Sequence, residues 1–318
     1  MPLPMRCAGI YRNRAYESGY RRYQSRQSEM IEREHTFQNA KGITIFYREW
    51  LPDAGDSRGI ALIVHGLGEH SGRYRHVAAA LTETGFLCFG IDQLGHGKSG
   101  GARVFIPDLR LAVEDLRQLF EIVTRQYPQK PVFLFGHSMG SLTGLEFALL
   151  YPDCLSGIAL SGVAIHGEYT RPPWLVKLCL FAAAYIPRLR LSPPSSPRVL
   201  THDDEILKEW REDPLIDRGM WRVGTSAALV LASRRIRQSA RQLTLPVLAL
   251  HGSDDHLAPP SGADYLRQNA SSSDVSVKIY EGMRHELVNE TCRDEVIQTL
   301  TRWMLERVGA GAFQIIGN

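Results

Sequence analysis

The sequence predicts an α/β protein: a mostly parallel sheet with helices on both faces, interrupted once by a helical insertion. Short apolar runs rich in β-branched and aromatic residues alternate with longer segments of helical periodicity, the pattern of parallel strands joined by crossover helices. The alternation stops between about Val163 and Gln242, where no convincing strand occurs and Pro172, Pro173, Pro187, Pro193, Pro194 and Pro197 accumulate. The chain has 318 residues, 44% hydrophobic and 22% charged, with 28 Gly and 17 Pro spread along it. That is enough to bury a stable core, and it excludes fibrous and disordered classes.

A basic extension comes first. Residues 1 to 28 carry Arg6, Arg12, Arg14, Arg21, Arg22 and Arg26 against Glu17 alone, a net +5, so within a formal total of +3 the rest of the chain sums to −2. The body therefore lacks the basic surface of a nucleic-acid partner. Residues 1–30 contain no apolar run of about seven or more, which excludes a secretory signal. They read as a flexible extension without catalytic role, with a transit peptide, an anionic-lipid contact or an RNA contact as the weaker alternatives.

Strands are expected near Ile43 to Trp50, Ile60 to His65, Phe86 to Ile91, Val132 to Phe135, Gly157 to Leu160, Val247 to His251 and Val275 to Tyr280. Helices are expected over Tyr74 to Glu83, Leu109 to Gln126, Met139 to Leu150 and about Arg293 to Val308, each with apolar positions at three-to-four spacing. The core then comprises residues 31–162 and 243–308, followed by a tail, 309–318. Residues 163–242 read as a cap: two apolar stretches, Trp174 to Ile186 and Ala227 to Ala232, flank an acidic-aromatic piece, His202 to Trp210, and short helices over the sheet are expected. No stretch reaches the roughly 18 apolar residues that a bilayer span requires. The five cysteines are odd in number, widely spaced and never in a C-x-x-C pair, which points to a reducing, cytoplasmic compartment without disulfides or structural zinc.

The chemistry concentrates in PVFLFGHSMGSLTGLEFALL, where a strand leads into Gly136-His137-Ser138-Met139-Gly140 and then a helix. A nucleophilic serine on a sharp strand-to-helix turn needs small residues two before and two after it, because the backbone is crowded there. The same five-letter pattern recurs at Gly97-Lys98-Ser99-Gly100-Gly101, but it follows a loop and no helix follows it, so Ser99 reads as part of a flexible loop. Two nucleotide-binding patterns also fail by identity. A phosphate loop ending at Gly97-Lys98-Ser99 would need glycine where Asp92 stands, and a dinucleotide fingerprint starting at Gly66 would need glycine where Ser71 stands. No cofactor and no metal are expected.

A serine hydroxyl needs a base and a group to orient that base. In sheets that carry such a turn, the acid and then the histidine follow the serine, each in a loop after a late strand. His285 lies immediately after the last expected strand, which favours it over His137, His251 and His256. Asp254 and Asp255 follow the strand before it; adjacent side chains point differently, so only one reaches the imidazole, and Asp255 is preferred. The oxyanion requires two aligned N–H donors, expected from Met139 and from Leu67 in the glycine-rich His65-Gly66-Leu67-Gly68 loop.

Together, HGLGEHSGRYRHVAAAL, DQLGHGKSGG, GHSMGS, HGSDDHL and YEGMRHE resemble the monoacylglycerol lipase-like, lysophospholipase-related branch of the α/β-hydrolases over about Glu32 to Val308. The resemblance implies an α/β-hydrolase fold and a Ser138–Asp255–His285 triad, supporting Asp255 over Asp254, with Leu67 giving an oxyanion amide. It places Glu69 and Arg73 near the entrance or in support of the loop. The implied function is hydrolysis of a monoacylglycerol to glycerol and fatty acid through an acyl-enzyme. The alternatives are a lysophospholipase, general carboxylesterase or peptidase of the same fold, acyl transfer to another alcohol, and a non-catalytic ligand-binding protein. Glu69, Arg73 and the cap residues Trp174, Leu178 and Phe181 are the expected substrate contacts. A lipid or small ester is the expected partner, with transient membrane-surface contact through the cap; the sequence assigns no oligomeric state.

Overall fold

The computed structural model describes residues 30–53, 55–192 and 196–308. The extension over residues 1–29, Pro193, Pro194 and the tail 309–318 lie outside the described residues. In chain order the strands are β1 (Ile31–Gln38), β2 (Thr44–Leu51), β3 (Gly59–Val64), β4 (Phe86–Asp92), β5 (Val132–His137), β6 (Gly157–Ser161), β7 (Arg190–Ser192), β8 (Trp221–Arg222), β9 (Val247–Gly252) and β10 (Val275–Tyr280). The helices are α1 (Arg75–Glu83), α2 (Leu109–Gln126), α3 (Met139–Leu150), α4 (Pro173–Tyr185), α5 (Asp204–Glu212), α6 (Val223–Ser239), α7 (Ser261–Asn269) and α8 (Arg293–Val308).

Eight strands form one sheet in the order β1-β2-β4-β3-β5-β6-β9-β10. The β1–β2 and β2–β4 pairings are antiparallel, and all others are parallel. β3 shows why its sequence is a central strand: all six residues are buried, with Ile60, Leu62 and Val64 in the core cluster shared with α2 and α3, and Ala61 and Ile63 in the cluster shared with α1 and α8. A strand covered on both faces reads as a continuous apolar run with no polar side to show. The parallel order also brings the C-terminal ends of β3, β5, β6, β9 and β10 to one edge of the sheet, the edge where ligands bind in open α/β sheets.

Four features differ from the sequence reading. β1 was not expected, because IEREHTFQ carries four charged or imidazole side chains; it forms as the antiparallel edge partner of β2, where charge on the outer side is tolerated. The Asn39 side chain closes that hairpin by accepting from the Lys41 and Ile43 amides at 3.0 Å each. α7 was also missed, being short and polar on its outer face. The segment 163–242 contains a two-stranded ribbon, β7–β8, and its last helix, α6, runs for 17 residues because its Ala227, Ala228, Ala232 and Ile236 side bury against the core. Finally, the Gly97–Gly101 loop is tightly held and not flexible: Ser99 is buried, its Oγ accepts from the Phe46 amide at 2.8 Å and donates to the Asp92 carbonyl, and Gly100 N–H reaches the Thr44 carbonyl.

Candidate active site

β5 ends at His137, and the chain turns at Ser138 with φ +52° and ψ −115°, a conformation that a side-chain-bearing residue adopts only where its surroundings enforce it. The enforcement comes from close packing. A Cβ on Gly136 would lie 2.5 Å from the Gly140 carbonyl oxygen, and one on Gly140 only 2.0 Å from that of Val64. Glycine at both positions is thus a steric requirement, and it lets α3 start directly behind the serine. Ser138 Oγ projects away from this turn to His285 Nε2, 2.8 Å away.

His285 Nδ1 lies 2.7 Å from Asp255 Oδ2. The carboxylate is fixed in turn: Oδ1 accepts from the Leu257 and Ala258 amides at 2.9 Å each, and Oδ2 lies 3.2 Å from His251 Nε2. Burial pushes the Asp255 carboxyl upward, but the charge of His285 and the hydrogen bonds from His251 and His285 outweigh it and hold the group well below the usual carboxylate range. For His285 the balance is the mirror image. Burial disfavours its protonated form, yet Asp255, Glu286 and Glu69 together raise it above the ordinary imidazole value. Asp254 points outward instead, 3.0 Å from His256 on the surface.

Leu67 and Met139 both line the cavity at Ser138. Met139 is the first residue of α3, where an amide has no partner within the helix and sits at the positive end of its dipole. Glu69 shapes the loop that presents Leu67: its Oε1 accepts from the Gly66 amide at 2.6 Å and from the Tyr74 hydroxyl at 2.7 Å. Arg73 joins Glu69 at 2.6 Å and forks onto both oxygens of Glu286 at 2.9 and 2.7 Å, so the loop after β3 is tied to the loop that carries His285. Burial pushes the Glu69 carboxyl up, and the Arg73 charge, with His137 and His65, outweighs it, bringing the group down to about 2.

Two cavities meet at Ser138. The larger, of about 300 Å³, runs between α3, α6 and the inner face of α4 and is lined mainly by Leu67, Met139, Leu142, Val176, Leu229 and Val230. The smaller, of about 80 Å³, has a mixed border, with the charged Glu69, Arg73, Asp217, Arg218 and Glu286 beside the apolar Leu200, Trp210, Ile216 and Trp221.

Of the expected substrate contacts, Glu69 and Arg73 border the smaller cavity with their charged atoms engaged on each other, on Glu286 and on the loop backbone. Trp174, Leu178 and Phe181 do not line either cavity: they lie on the outer side of α4, exposed by 66%, 51% and 65%, while Leu175, Val176 and Cys179 face inward. This helix is apolar on both sides, so periodicity could not tell inside from outside. Sequence reasoning also missed Tyr74 and Glu286, and weighed His137 only as an alternative base. His137 packs its ring 4.8 Å from that of His285 and is pushed down to about 4, chiefly by burial and then by the His285 charge, which keeps it neutral beside the imidazole. The signal available for all three was adjacency: each is next in sequence to a residue that was chosen. Among the described residues no cluster of three His, Cys, Asp or Glu side chains could hold a metal, and no helix is long and apolar enough to cross a membrane.

A mostly parallel eight-stranded sheet, with its strained serine turn after a central strand, is that of an α/β-hydrolase. Within that class, the chain belongs to the family described as serine aminopeptidase, S33, whose sequence profile matches residues 55–292. It is 34% identical over 275 residues to a monoacylglycerol lipase of Mycolicibacterium smegmatis, covering 86% of this chain and 98% of that one. The monoglyceride lipase of Homo sapiens is also 34% identical, over 85% of this chain and 89% of its own. Among solved structures, the crystal structure of a Paleococcus ferrophilus monoacylglycerol lipase superposes with a TM-score of 0.74 at 27% identity, covering 88% of this chain and 99% of that one. The protein is a monoacylglycerol lipase-like ester hydrolase.

Proposed function

We propose that the protein hydrolyses monoacylglycerols to glycerol and a fatty acid by a serine mechanism. The observation that carries this reading is the Ser138–His285–Asp255 hydrogen-bond chain at the junction of a larger, mainly apolar cavity and a smaller one of mixed lining. Ser138 Oγ attacks the ester carbonyl while His285 Nε2 takes its proton, and His285 then delivers that proton to the departing glycerol oxygen. Asp255 holds the imidazole in the tautomer with hydrogen on Nδ1. Water, deprotonated by His285, attacks the acyl-enzyme and frees the acid, and the Leu67 and Met139 N–H groups stabilise the oxyanion of both tetrahedral states.

The apolar cavity suits an aliphatic acyl chain, and the smaller one, with charged groups on part of its border, suits an alcohol of glycerol size. An aminopeptidase would need an unengaged carboxylate for the substrate's amine, but those bordering the smaller cavity are already paired, Glu69 and Glu286 with Arg73 and Asp217 with Arg190. Residues 163–242 act as the cap that closes the apolar cavity. The outer side of α4 rests on a lipid surface through Trp174, Leu178 and Phe181, with Arg171 and Lys177 beside them, since an exposed apolar face of this kind is rare without a partner.

The test is release of free fatty acid from a medium-chain monoacylglycerol, its lysophosphatidylcholine counterpart and a short nitrophenyl ester, with wild type and Ser138→Ala. Turnover of the first and third, absent in the variant, is the expected result; turnover that survives Ser138→Ala refutes the nucleophile, and preference for the lysolipid refutes the substrate class. A Trp174→Ser/Phe181→Ser variant is expected to keep its rate on the soluble ester and to lose turnover of monoacylglycerol presented in vesicles.

A further inference from the structure

The loop that presents Leu67 is gripped from the cap as well as from the core. The cap segment following α5 reaches it at two points. The Asp217 amide donates to the Gly68 carbonyl at 2.9 Å, and Asp213 Oδ2 lies 2.8 Å from His70 Nε2. The tautomer of His70 follows from its other contact. His70 caps the turn Ser71–Tyr74 by accepting the Gly72 amide on Nδ1 at 3.2 Å, so Nδ1 carries the lone pair and Nε2 carries the hydrogen that is donated to Asp213.

Asp213 is itself held from several sides. Its Oδ1 accepts from the Leu215 amide at 2.8 Å, its carbonyl accepts from Arg218 at 2.8 Å, and its own amide closes α5 on Glu209. Asp217 is forked by Arg190 at 3.0 and 2.8 Å, and Arg103 of the core holds the Leu215 carbonyl at 3.0 Å. Gly68, at φ +81°, lies close against this segment: a Cβ there would sit 3.2 Å from the Asp217 carbonyl oxygen.

We propose that Asp213 is a positioning residue for ester hydrolysis, acting from the cap through His70 to keep the Leu67 N–H aimed at the oxyanion. The proposal rests on the reading of Leu67 as an oxyanion donor. It makes the catalytic loop complete only when the cap segment Asp213–Asp217 is seated on it. Because the oxyanion exists only in the tetrahedral state, a donor that drifts lowers turnover without weakening ground-state binding.

The test uses the full chain with a short nitrophenyl ester, which leaves the apolar cavity largely unused, and an alkyl trifluoromethyl ketone, which captures Ser138 as a tetrahedral adduct. A fluorophosphonate titration counts folded, reactive serine in each preparation. Asp213→Ala is expected to lower kcat about 10- to 100-fold per titrated site, with KM within about twofold and ketone affinity falling in parallel with kcat. Asp213→Asn keeps one acceptor oxygen for two donors, the His70 Nε2–H and the Leu215 N–H, and is expected to recover only part of both. A folded Asp213→Ala with wild-type kcat and ketone affinity, altered only in melting temperature or in KM for long-chain substrate, would overturn the proposal and leave the residue a plain cap latch. A wild type that neither reacts with fluorophosphonate nor binds the ketone would refute the serine mechanism itself, and this proposal with it.

Discussion

Each residue of the Ser138 chain is set by neighbours whose effect has a definite sign. Burial disfavours protonated His285, but the Asp255 charge outweighs it, so the proposed base is neutral and competent only above the ordinary histidine range near 6.5. The acidic limb of the kcat/KM profile is therefore expected above that value. Asp255→Asn removes the charge that raises it and permits the wrong tautomer, so the limb moves to lower pH while kcat falls about 10³- to 10⁴-fold; a pH–rate series on a soluble ester checks both. Gly140 supplies a prediction of another kind. A methyl group there meets the Val64 and His65 carbonyl oxygens at 2.0 and 2.7 Å, backbone that cannot rotate away. Gly140→Ala is expected to lose about 3 kcal/mol or more in urea unfolding, at the upper end of overpacking effects, because strand β3 must shift. The requirement for small residues around the serine was legible in the five letters of the motif. The preference for Ser138 over Ser99 rested on a helix following the first pattern and not the second, and a helix does start directly behind Ser138. The engagement of Ser99 with Asp92 and Phe46 was not legible, because it depends on strands about 7 and 53 positions away.

At the scale of elements, the sequence was most readable where one environment covers both sides of a strand and least readable where two environments meet on one helix. β3 and β5 read as continuous apolar runs because helices bury both faces, and their boundaries fall within two residues of expectation. β1 carries the opposite signal: its charged residues hide a strand that only the pairing with β2 creates. α4 is the instructive failure. Its apolar residues occupy every side, so Trp174, Leu178 and Phe181 look as suited to a ligand as Leu175, Val176 and Cys179, and only the position of α6 decides which set faces the cavity. The distinction is testable because the two sides should fail differently. Cys179→Trp fills the cavity from within and is expected to reduce kcat/KM for a long-chain monoacylglycerol about tenfold or more, while the short nitrophenyl ester changes less than about twofold. A parallel loss on both substrates would instead mean that the larger cavity does not receive the acyl chain.

Across the whole molecule, the site is assembled from loops that are far apart in sequence, and one buried cluster ties two of them. Arg73 and Glu286 are 213 positions apart, yet they fork together beneath the loop after β3, with Glu69 on the other side of the guanidinium. The individual letters Glu69 and Arg73 were visible in the sequence, but not that their charges serve each other, since only the parallel order of β3, β5, β9 and β10 brings Glu286 to them. The cluster places two carboxylates around one arginine, so removing the arginine leaves like charges buried together. Arg73→Met is accordingly expected to destabilise by about 3–5 kcal/mol at neutral pH, the range for breaking a buried pair from one side. The pH dependence separates this from simple loss of packing. In the wild type the Glu69 carboxyl is held near 2, below its unfolded value near 4.3, so its contribution is fully present above about pH 4.3 and is lost as pH falls through the folded pKa. In Arg73→Met burial acts on the carboxyls without the cation, their folded pKa values rise above the unfolded ones, and the penalty grows with pH. The stability gap between the two proteins should therefore be widest near pH 7.5 and shrink toward pH 5, as read by urea unfolding at both. A gap independent of pH would show that Arg73 acts as a filler between loops and not as their common counter-charge.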